Sequence, residues 1–145
     1  MARERKRSSD DGRAAELRGS PMMAHLLDAL DGGQDVGHYG RLVFAMVGRH
    51  FLDEDAIVRR LAAQPEQSEE SARALLRQVS ERDYSPPGRE RILEWQARQD
   101  FPLCPTPDDP QACNLYRELT FPDRVYGEIE EFWEERAEAA NSASD

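Results

Sequence analysis

Residues Asp35 to Asp53 read DVGHYGRLVFAMVGRHFLD and predict the central helix of the fold. Of the 145 residues in the chain, 29 are Asp or Glu, yet none of these acids lies between the two aspartates. At about 100° per residue, the apolar side chains of this stretch fall on one side of a helix. They are Val36, Tyr39, Val43, Phe44, Met46, Val47 and Phe51. The stretch is therefore expected to be amphipathic, with this side facing the core.

The other side of the same helix carries a cationic stripe, defined as His38, Arg41 and Arg49. These three residues lie within about 80° of one another around the helix axis. In an acidic chain, a basic stripe that is kept clear of acids indicates a site for an anionic ligand. The alternative is that they are solvated residues on the exposed face of an amphipathic helix. His50 falls on the apolar side and is expected to be a satisfied core histidine.

Helix start signals recur on both sides of this central stretch. Asp35 is predicted to cap the central helix, and Asp53 and Ser68 to cap the two helices that follow it. Pro21, after Ser20, suits the first position of an earlier helix. Further helices are expected after three proline signals, at Pro86-Pro87, Asp109-Pro110 and Pro122-Asp123.

No stretch of the sequence alternates with a strand-like period. The fold class is therefore predicted to be all-α, a compact bundle of about six or seven helices with a long loop rich in proline and cysteine. This cysteine loop, residues 99–113, contains four of the nine prolines and both cysteines. Three regions are expected: a disordered arm at 1–17, a helical domain at 18–136 and a flexible tail at 137–145. Trp95 and Trp133 lie on apolar helical faces and are expected in the core.

The chain is polar and acidic, with a net charge of −10 and a mean hydropathy of −0.80. No apolar run is long enough for a membrane span or a signal peptide, so we expect a cytoplasmic protein without membrane contact. The negative charge argues against indiscriminate binding to phosphate backbones, although it leaves room for a small local site.

The sequence contains no pattern typical of catalysis. It has no Ser-His-Asp arrangement, no phosphate-cradling glycine loop, no HExxH motif and no carboxylate pair that demands acid–base work. The protein is therefore not expected to be an enzyme. In an intracellular chain, two cysteines do not suggest a disulfide scaffold, and the sequence leaves open whether Cys104 and Cys113 contact each other. We expect them to be small buried hydrophobes that close the loop, with a metal or cluster as the alternative.

Four segments occur in a recognisable order along the chain: Pro21-Met22-Met23, His38-Tyr39-Gly40-Arg41, Tyr84 to Arg89, and Cys104-Pro105 with Cys113. In this order, and over residues 19–133, the chain resembles the C-terminal iron–sulfur domain of the large subunit of archaeal and eukaryotic-type DNA primases. The resemblance implies a helical fold whose role is to bind rather than to catalyse.

By position, the resemblance implies that His38, Arg41 and Arg49 bind the template–primer junction, including the 5′-triphosphate of the initiating nucleotide. Arg77 is implied to line the same surface, although Gln78 follows it where that family has a histidine. The expected function is a non-catalytic module that binds a nucleotide triphosphate or a DNA/RNA primer–template end in support of primer synthesis. Its expected partner is a catalytic primase or polymerase subunit, or another replication protein. The alternative is a helical protein-interaction adaptor that has lost nucleic-acid binding.

The same family holds a [4Fe–4S] cluster with four cysteines, and this chain departs from that pattern. Met22 and Arg89 stand at two of the four positions, so only Cys104 and Cys113 remain. Neither a thioether nor a guanidinium replaces a thiolate on cluster iron. We therefore expect no iron–sulfur cluster, no other cofactor and no bound metal.

Overall fold

Helices account for all the regular structure in the computed structural model, which describes residues 13–127. Six helices are complete within this range: α1 Pro21–Asp31, α2 Gly37–Gly48, α3 Glu54–Ala62, α4 Glu69–Glu81, α5 Arg89–Gln96 and α6 Leu115–Glu118. Residues 13–17 and 123–127 are also helical. No strand occurs between residues 13 and 127, so the prediction of an all-α bundle is confirmed.

The predicted central helix is α2, and it packs against three other helices. Helices α2, α3 and α4 pack against one another, and α1 packs against α2 and α3. Val43, Phe44 and Val47 of α2 are fully buried, as are Met23 and Leu27 of α1. Burying one such side chain stabilises the fold by about 1.5–3 kcal/mol, so this apolar face is sufficient to orient α2. Of the cationic stripe, His38 is exposed, whereas Arg41 and Arg49 are partly buried.

Three of these predicted helix starts fall at the expected residues, and a fourth does not. Asp53 is the N-cap residue of α3, although its side chain makes no capping hydrogen bond. The Ser20 hydroxyl accepts a hydrogen bond from the backbone N–H of Met23 at 3.2 Å. Ser68 forms a reciprocal capping box with Ser71. The prediction that Asp35 is the N-cap of α2 is wrong, since Val36 occupies that position and has no side-chain cap. The Asp35 carboxylate instead accepts from the N–H of the first helical residue at 2.9 Å.

Two glutamines from other parts of the chain hold the start of α2. The Gln64 side chain accepts from the Val36 N–H at 3.0 Å, and the Gln99 side chain accepts from the Tyr39 N–H at 3.0 Å. Gly37 has a φ of +75°, and a Cβ added there would lie 2.4 Å from Gln99 Oε1. The backbone N–H groups at the start of a helix have no partner within that helix. In α2, side chains from distant parts of the chain accept these hydrogen bonds, and the local sequence does not encode such contacts.

The long cysteine loop is present, and a disulfide closes it. Cys104 and Cys113 are bonded to each other, with their Cα atoms 5.8 Å apart. The prediction that these cysteines are small buried groups closing the loop is half right, because both are buried but they are bonded to each other. The Arg89 side chain donates to three carbonyls of the same loop, those of Pro107 at 2.8 Å, Ala112 at 3.2 Å and Asp109 at 3.3 Å.

The helix expected directly after Asp109-Pro110 starts later than predicted. The disulfide-bonded Cys113 has a φ of +64°, which interrupts a helix, and α6 begins only at Leu115. A positive φ at a non-glycine residue is uncommon and is held here by the surrounding loop.

The predicted disordered arm is also wrong at its inner end. Residues 13–17 are helical, and Leu17 is fully buried in the core. Leu17 thus attaches this short segment to the core, and the Arg13 side chain donates to the Phe51 carbonyl at 3.5 Å. Residues 1–12 and 128–145 lie outside the described residues, and so do the predicted domain end at 136, the tail at 137–145 and Trp133. Trp95 is only partly buried, so the prediction that it lies in the core is wrong. Within residues 13–127, no helix has the length and apolarity needed to cross a membrane.

Candidate anion-binding site

Arg41, the middle residue of the cationic stripe, is paired within the fold. Its side chain is 16% exposed, and its Nη2 lies 3.1 Å from Asp35 Oδ1. The same nitrogen donates to the Pro65 carbonyl at 3.3 Å, and Nε donates to Gln64 Oε1 at 3.4 Å. Arg41 therefore links the start of α2 to the connection between α3 and α4, and it is committed to structural contacts.

Arg49 lies at the other end of the stripe, where it caps the C-terminus of α2. Its side chain is 11% exposed, with Nη2 at 2.6 Å from Asp83 Oδ1 and at 3.2 Å from the Tyr84 carbonyl. Arg124 shares the same carboxylate at 3.2 Å. The Nε of Arg49 is buried and has no hydrogen-bond partner among residues 13–127. The stretch is thus free of acids in sequence only, because the fold brings Asp83 to it.

A groove brings Arg49 together with two arginines of α4. This arginine groove has a volume of about 330 Å³ and lies beside α3 and α4. Its polar lining comprises Arg49, Glu54, Arg73, Arg77 and Ser80, and its apolar lining comprises Leu52, Ile57 and Leu76. Of the four residues predicted to bind phosphate, the groove therefore unites Arg49 and Arg77. His38 and Arg41 are not part of its lining.

The three arginines of the groove differ in how far they are already neutralised. Arg73 contacts Glu69 at 3.0 Å, Glu54 at 3.2 Å and Asp55 at 3.4 Å, and its hydrogen bonds to Glu69 and then to Asp55 raise its pKa. Arg77 is exposed and has no hydrogen bond or ion pair with any residue between 13 and 127. Guanidinium groups bind phosphate or carboxylate oxygens through two parallel hydrogen bonds. Arg77 is therefore the arginine most available to an incoming anion.

His50, next to Arg49, stays neutral at physiological pH. Burial, together with the charges of Arg49 and Arg124, lowers its pKa from 6.5 to about 4. Its ring meets Phe121 edge-on, with the centroids 5.7 Å apart, and its buried Nε2 has no partner in the described range. The prediction of a satisfied core histidine is thus only half right, because the ring is packed but one nitrogen is not hydrogen-bonded. As a neutral group, His50 adds no charge to the groove.

The four residues that the resemblance matches to cluster ligands do not fit a [4Fe–4S] cluster. Met22 is fully buried, and Arg89 is bonded to loop carbonyls. Cys104 and Cys113 are bonded to each other, so neither offers a thiolate. The absence of any cofactor stays a prediction.

Sequence reasoning missed Arg73 and Ser80, and it did not anticipate Asp83 as the partner of Arg49. Arg73 could have been predicted from the sequence, since Arg73 and Arg77 are four positions apart and so share one face of α4. No local signal pointed to Asp83, which is 34 positions from Arg49. Comparison with protein-family models, with curated proteins and with solved structures finds no match for this chain.

Proposed function

We propose that this chain is a non-catalytic, primase-large-subunit-like helical module that supports primer synthesis. It binds the phosphates of a nucleotide triphosphate or of a primer–template end, and a partner subunit carries out the chemistry. One observation carries the proposal: Arg49 and Arg77, two of the residues that the sequence points to for phosphate binding, line the same groove. The order of motifs along the chain supports the link to primer synthesis.

The arginine groove suits a phosphate group in size and in chemistry. Its volume of about 330 Å³ lies at the lower end of the range for small-ligand sites. Arg77 supplies a fork that is not engaged by residues 13–127, and Ser80 supplies a hydroxyl. The groove lies against the buried side chains of Ile57 and Leu76, which lower the local dielectric and strengthen the attraction of the arginines for an anion.

Binding at this groove works through exchange of partners at Arg49. Within the fold, Asp83 neutralises Arg49. A phosphate offers more charge and more acceptor oxygens than one carboxylate, and it can reach Arg77 at the same time. The ligand is thereby held by charge-assisted hydrogen bonds, which position it without any bond being made or broken.

The test is a calorimetric titration of the whole chain with GTP and with a 5′-triphosphorylated primer–template, at low salt and at 150 mM salt. The informative variant is Arg77→Glu, because Arg77 is exposed and its replacement leaves the core intact. Arg59→Glu is the matched control, since it makes the same charge change at an exposed position of α3 that does not line the groove.

We expect Arg77→Glu to weaken binding at least tenfold, while Arg59→Glu and Arg41→Ala change it less than twofold. Weaker binding at the higher salt is also expected, because phosphate contacts are screened. No binding at low salt, or equal losses in Arg77→Glu and Arg59→Glu, would overturn the proposal.

The alternative function, a helical protein-interaction adaptor, is favoured by the ion pairs of Arg41 with Asp35 and of Arg49 with Asp83. Those pairs leave less positive charge available to attract a nucleic acid, and the chain as a whole has a net charge of −10. An adaptor would bind neither GTP nor the primer–template, and it would bind the catalytic partner equally well with Arg77→Glu. The same titration, with that partner as the second ligand, separates the two functions.

A further inference from the structure

Ser80 adds an exposed hydroxyl group to the lining of the arginine groove. It lies in the last turn of α4, three positions after Arg77 and seven after Arg73. At about 100° per residue, these three residues lie within about 60° of one another around the helix axis. Side chains three positions apart on a helix have Cβ atoms about 5–6 Å apart. A group attached to the Ser80 Oγ therefore lies within reach of the Arg77 guanidinium.

Arg49, at the end of α2, brings a second guanidinium to the groove that Ser80 lines. Its carboxylate partner, Asp83, belongs to the turn that follows α4, and the Asp83 N–H donates to the Ser80 carbonyl at 3.2 Å. The Nε of Arg49 is buried and has no hydrogen-bond partner among residues 13–127. Arg49 therefore keeps hydrogen-bonding capacity for a further anion near Ser80.

Ser80 differs from the serines that begin α1 and α4, because those hydroxyls are engaged by the fold. The buried Ser20 donates to Glu118 at 2.7 Å and caps α1. Ser68 and Ser71 form the capping box of α4. A covalent group on any of these three would remove a helix cap, which is worth about 1 kcal/mol. Ser80 is exposed and caps no helix, so it can be modified without loss of such a contact.

We propose that Ser80 is a phosphorylation site, and that its phosphate group occupies the arginine groove and blocks it. This rests on the proposed function and deepens it, because it names how binding at that groove is regulated. The phosphoryl donor is ATP bound to a separate protein kinase. The Ser80 Oγ forms a bond to the γ-phosphorus as the bond to the bridging oxygen breaks, ADP leaves, and the hydroxyl proton passes to a base of the kinase.

A phosphate on Ser80 needs the arginines in order to be tolerated. It carries a charge of about −1.5 to −2 at pH 7, and such a charge is unfavourable at a helix C-terminus. Glu54 and Asp83 add to the repulsion. Charge-assisted hydrogen bonds from Arg77 and Arg49 oppose it.

The tethered phosphate excludes a free anion from the groove. Arg73 cannot take its place, because Glu54, Asp55 and Glu69 already pair with it. A group joined to the protein through a short linker has an effective concentration on the order of millimolar. A free phosphate ligand must therefore compete with the Ser80 phosphate for the same two guanidinium groups.

The test uses full-length protein that carries phosphoserine at residue 80, introduced by genetic code expansion. The matched control is Gln78→phosphoserine, because Gln78 is exposed in the same turn of α4 and does not line the groove. Calorimetry measures tripolyphosphate binding, and ³¹P NMR follows the titration of the phosphate with and without Arg77→Glu. In a separate reaction, the unmodified chain and Ser80→Ala are incubated with ATP and an arginine-directed serine kinase, and mass spectrometry locates the phosphate.

We expect phosphoserine at residue 80 to weaken tripolyphosphate binding at least tenfold, and phosphoserine at residue 78 to weaken it less than threefold. The second pKa of the phosphate, about 6 when free, should fall at residue 80 and return toward 6 with Arg77→Glu. The kinase should label Ser80 in the unmodified chain, and Ser80→Ala should lose that label.

The outcomes separate the two proposals. If the unmodified chain binds tripolyphosphate and phosphoserine at residue 80 leaves that binding unchanged, the inference is refuted while the proposed function stands. Equal losses at residues 80 and 78, or no label on Ser80 after reaction with the kinase, would also refute it. If the unmodified chain does not bind tripolyphosphate but the phosphate pKa at residue 80 depends on Arg77, the proposed function fails and the phosphate site at Ser80 stands.

Discussion

Removal of the Cys104–Cys113 disulfide should cost the fold a measurable part of its stability. The bond joins residues nine positions apart, and it therefore restricts a short loop of the unfolded chain. In the chain-entropy model, closing a loop of this length is worth about 2.7 kcal/mol at 25 °C. Both sulfurs are buried, so alanine is the better replacement, because a serine hydroxyl there would require a new hydrogen-bond partner.

The assay is equilibrium unfolding in urea of the native protein, of the protein in dithiothreitol, and of Cys104→Ala/Cys113→Ala. For a domain of this size, a loss of about 2.7 kcal/mol lowers the midpoint by about 1–2 M urea. Reduction and the double substitution should give similar losses, because both remove the same cross-link. Binding at the arginine groove should not change, since neither cysteine lines it.

Two results would refute this reasoning. The first is two titratable thiols per chain when the unreduced protein is unfolded in guanidinium, which would mean that the cysteines are not bonded. The second is a loss below about 0.5 kcal/mol in the double variant, which would mean that the bond does not restrict the unfolded chain. A matched loop variant, Arg89→Ala, removes the bonds to the loop carbonyls and leaves the disulfide in place.

Three further predictions concern α2 and its partners. Because His50 is neutral in the fold with a pKa of about 4, its contribution to stability is complete above the unfolded pKa of 6.5 and is lost as pH falls from 6.5 to 4. Allowing for partial exposure, urea unfolding of the wild type relative to His50→Gln should show a loss of about 2 kcal/mol between pH 7 and 4.5; equal pH profiles would contradict it. Gly37→Ala should destabilise the fold by at least about 1–2 kcal/mol in the same assay, because φ is +75° and the new Cβ would meet Gln99. An unchanged midpoint would show that the fold does not need the close contact between residue 37 and Gln99. Asp83→Asn keeps a residue that tolerates the positive φ but removes the negative charge that neutralises Arg49, so tripolyphosphate affinity should rise about threefold or more by calorimetry. A loss of affinity would show that the Asp83 carboxylate helps to form the groove.

The cationic stripe shows how much of the candidate site could be predicted. The helical period put His38, Arg41 and Arg49 on one side of a helix, and that helix forms. Helical periodicity, however, relates only residues of the same helix. The contacts of each side chain depend on which other part of the chain packs against it. Arg41 contacts the α3–α4 connection, Arg49 contacts Asp83, and His38 contacts the ring of Tyr39. The three residues of the predicted stripe therefore lie in three different environments.

The sequence by itself determined the helical class, most helix starts and the burial of the apolar face of α2. These features depend on local capping and on periodicity, which are properties of residues a few positions apart. Only the tertiary structure decided the cap of α2 by Gln64 and Gln99, the disulfide of the cysteine loop and the groove that joins Arg49 to Arg77. The two glutamine contacts and the groove join residues that are distant in sequence. The disulfide depends on the path of its loop. Their pairing follows from how the helices pack, because apolar burial fixes the helices first and polar side chains then pair with the groups they meet.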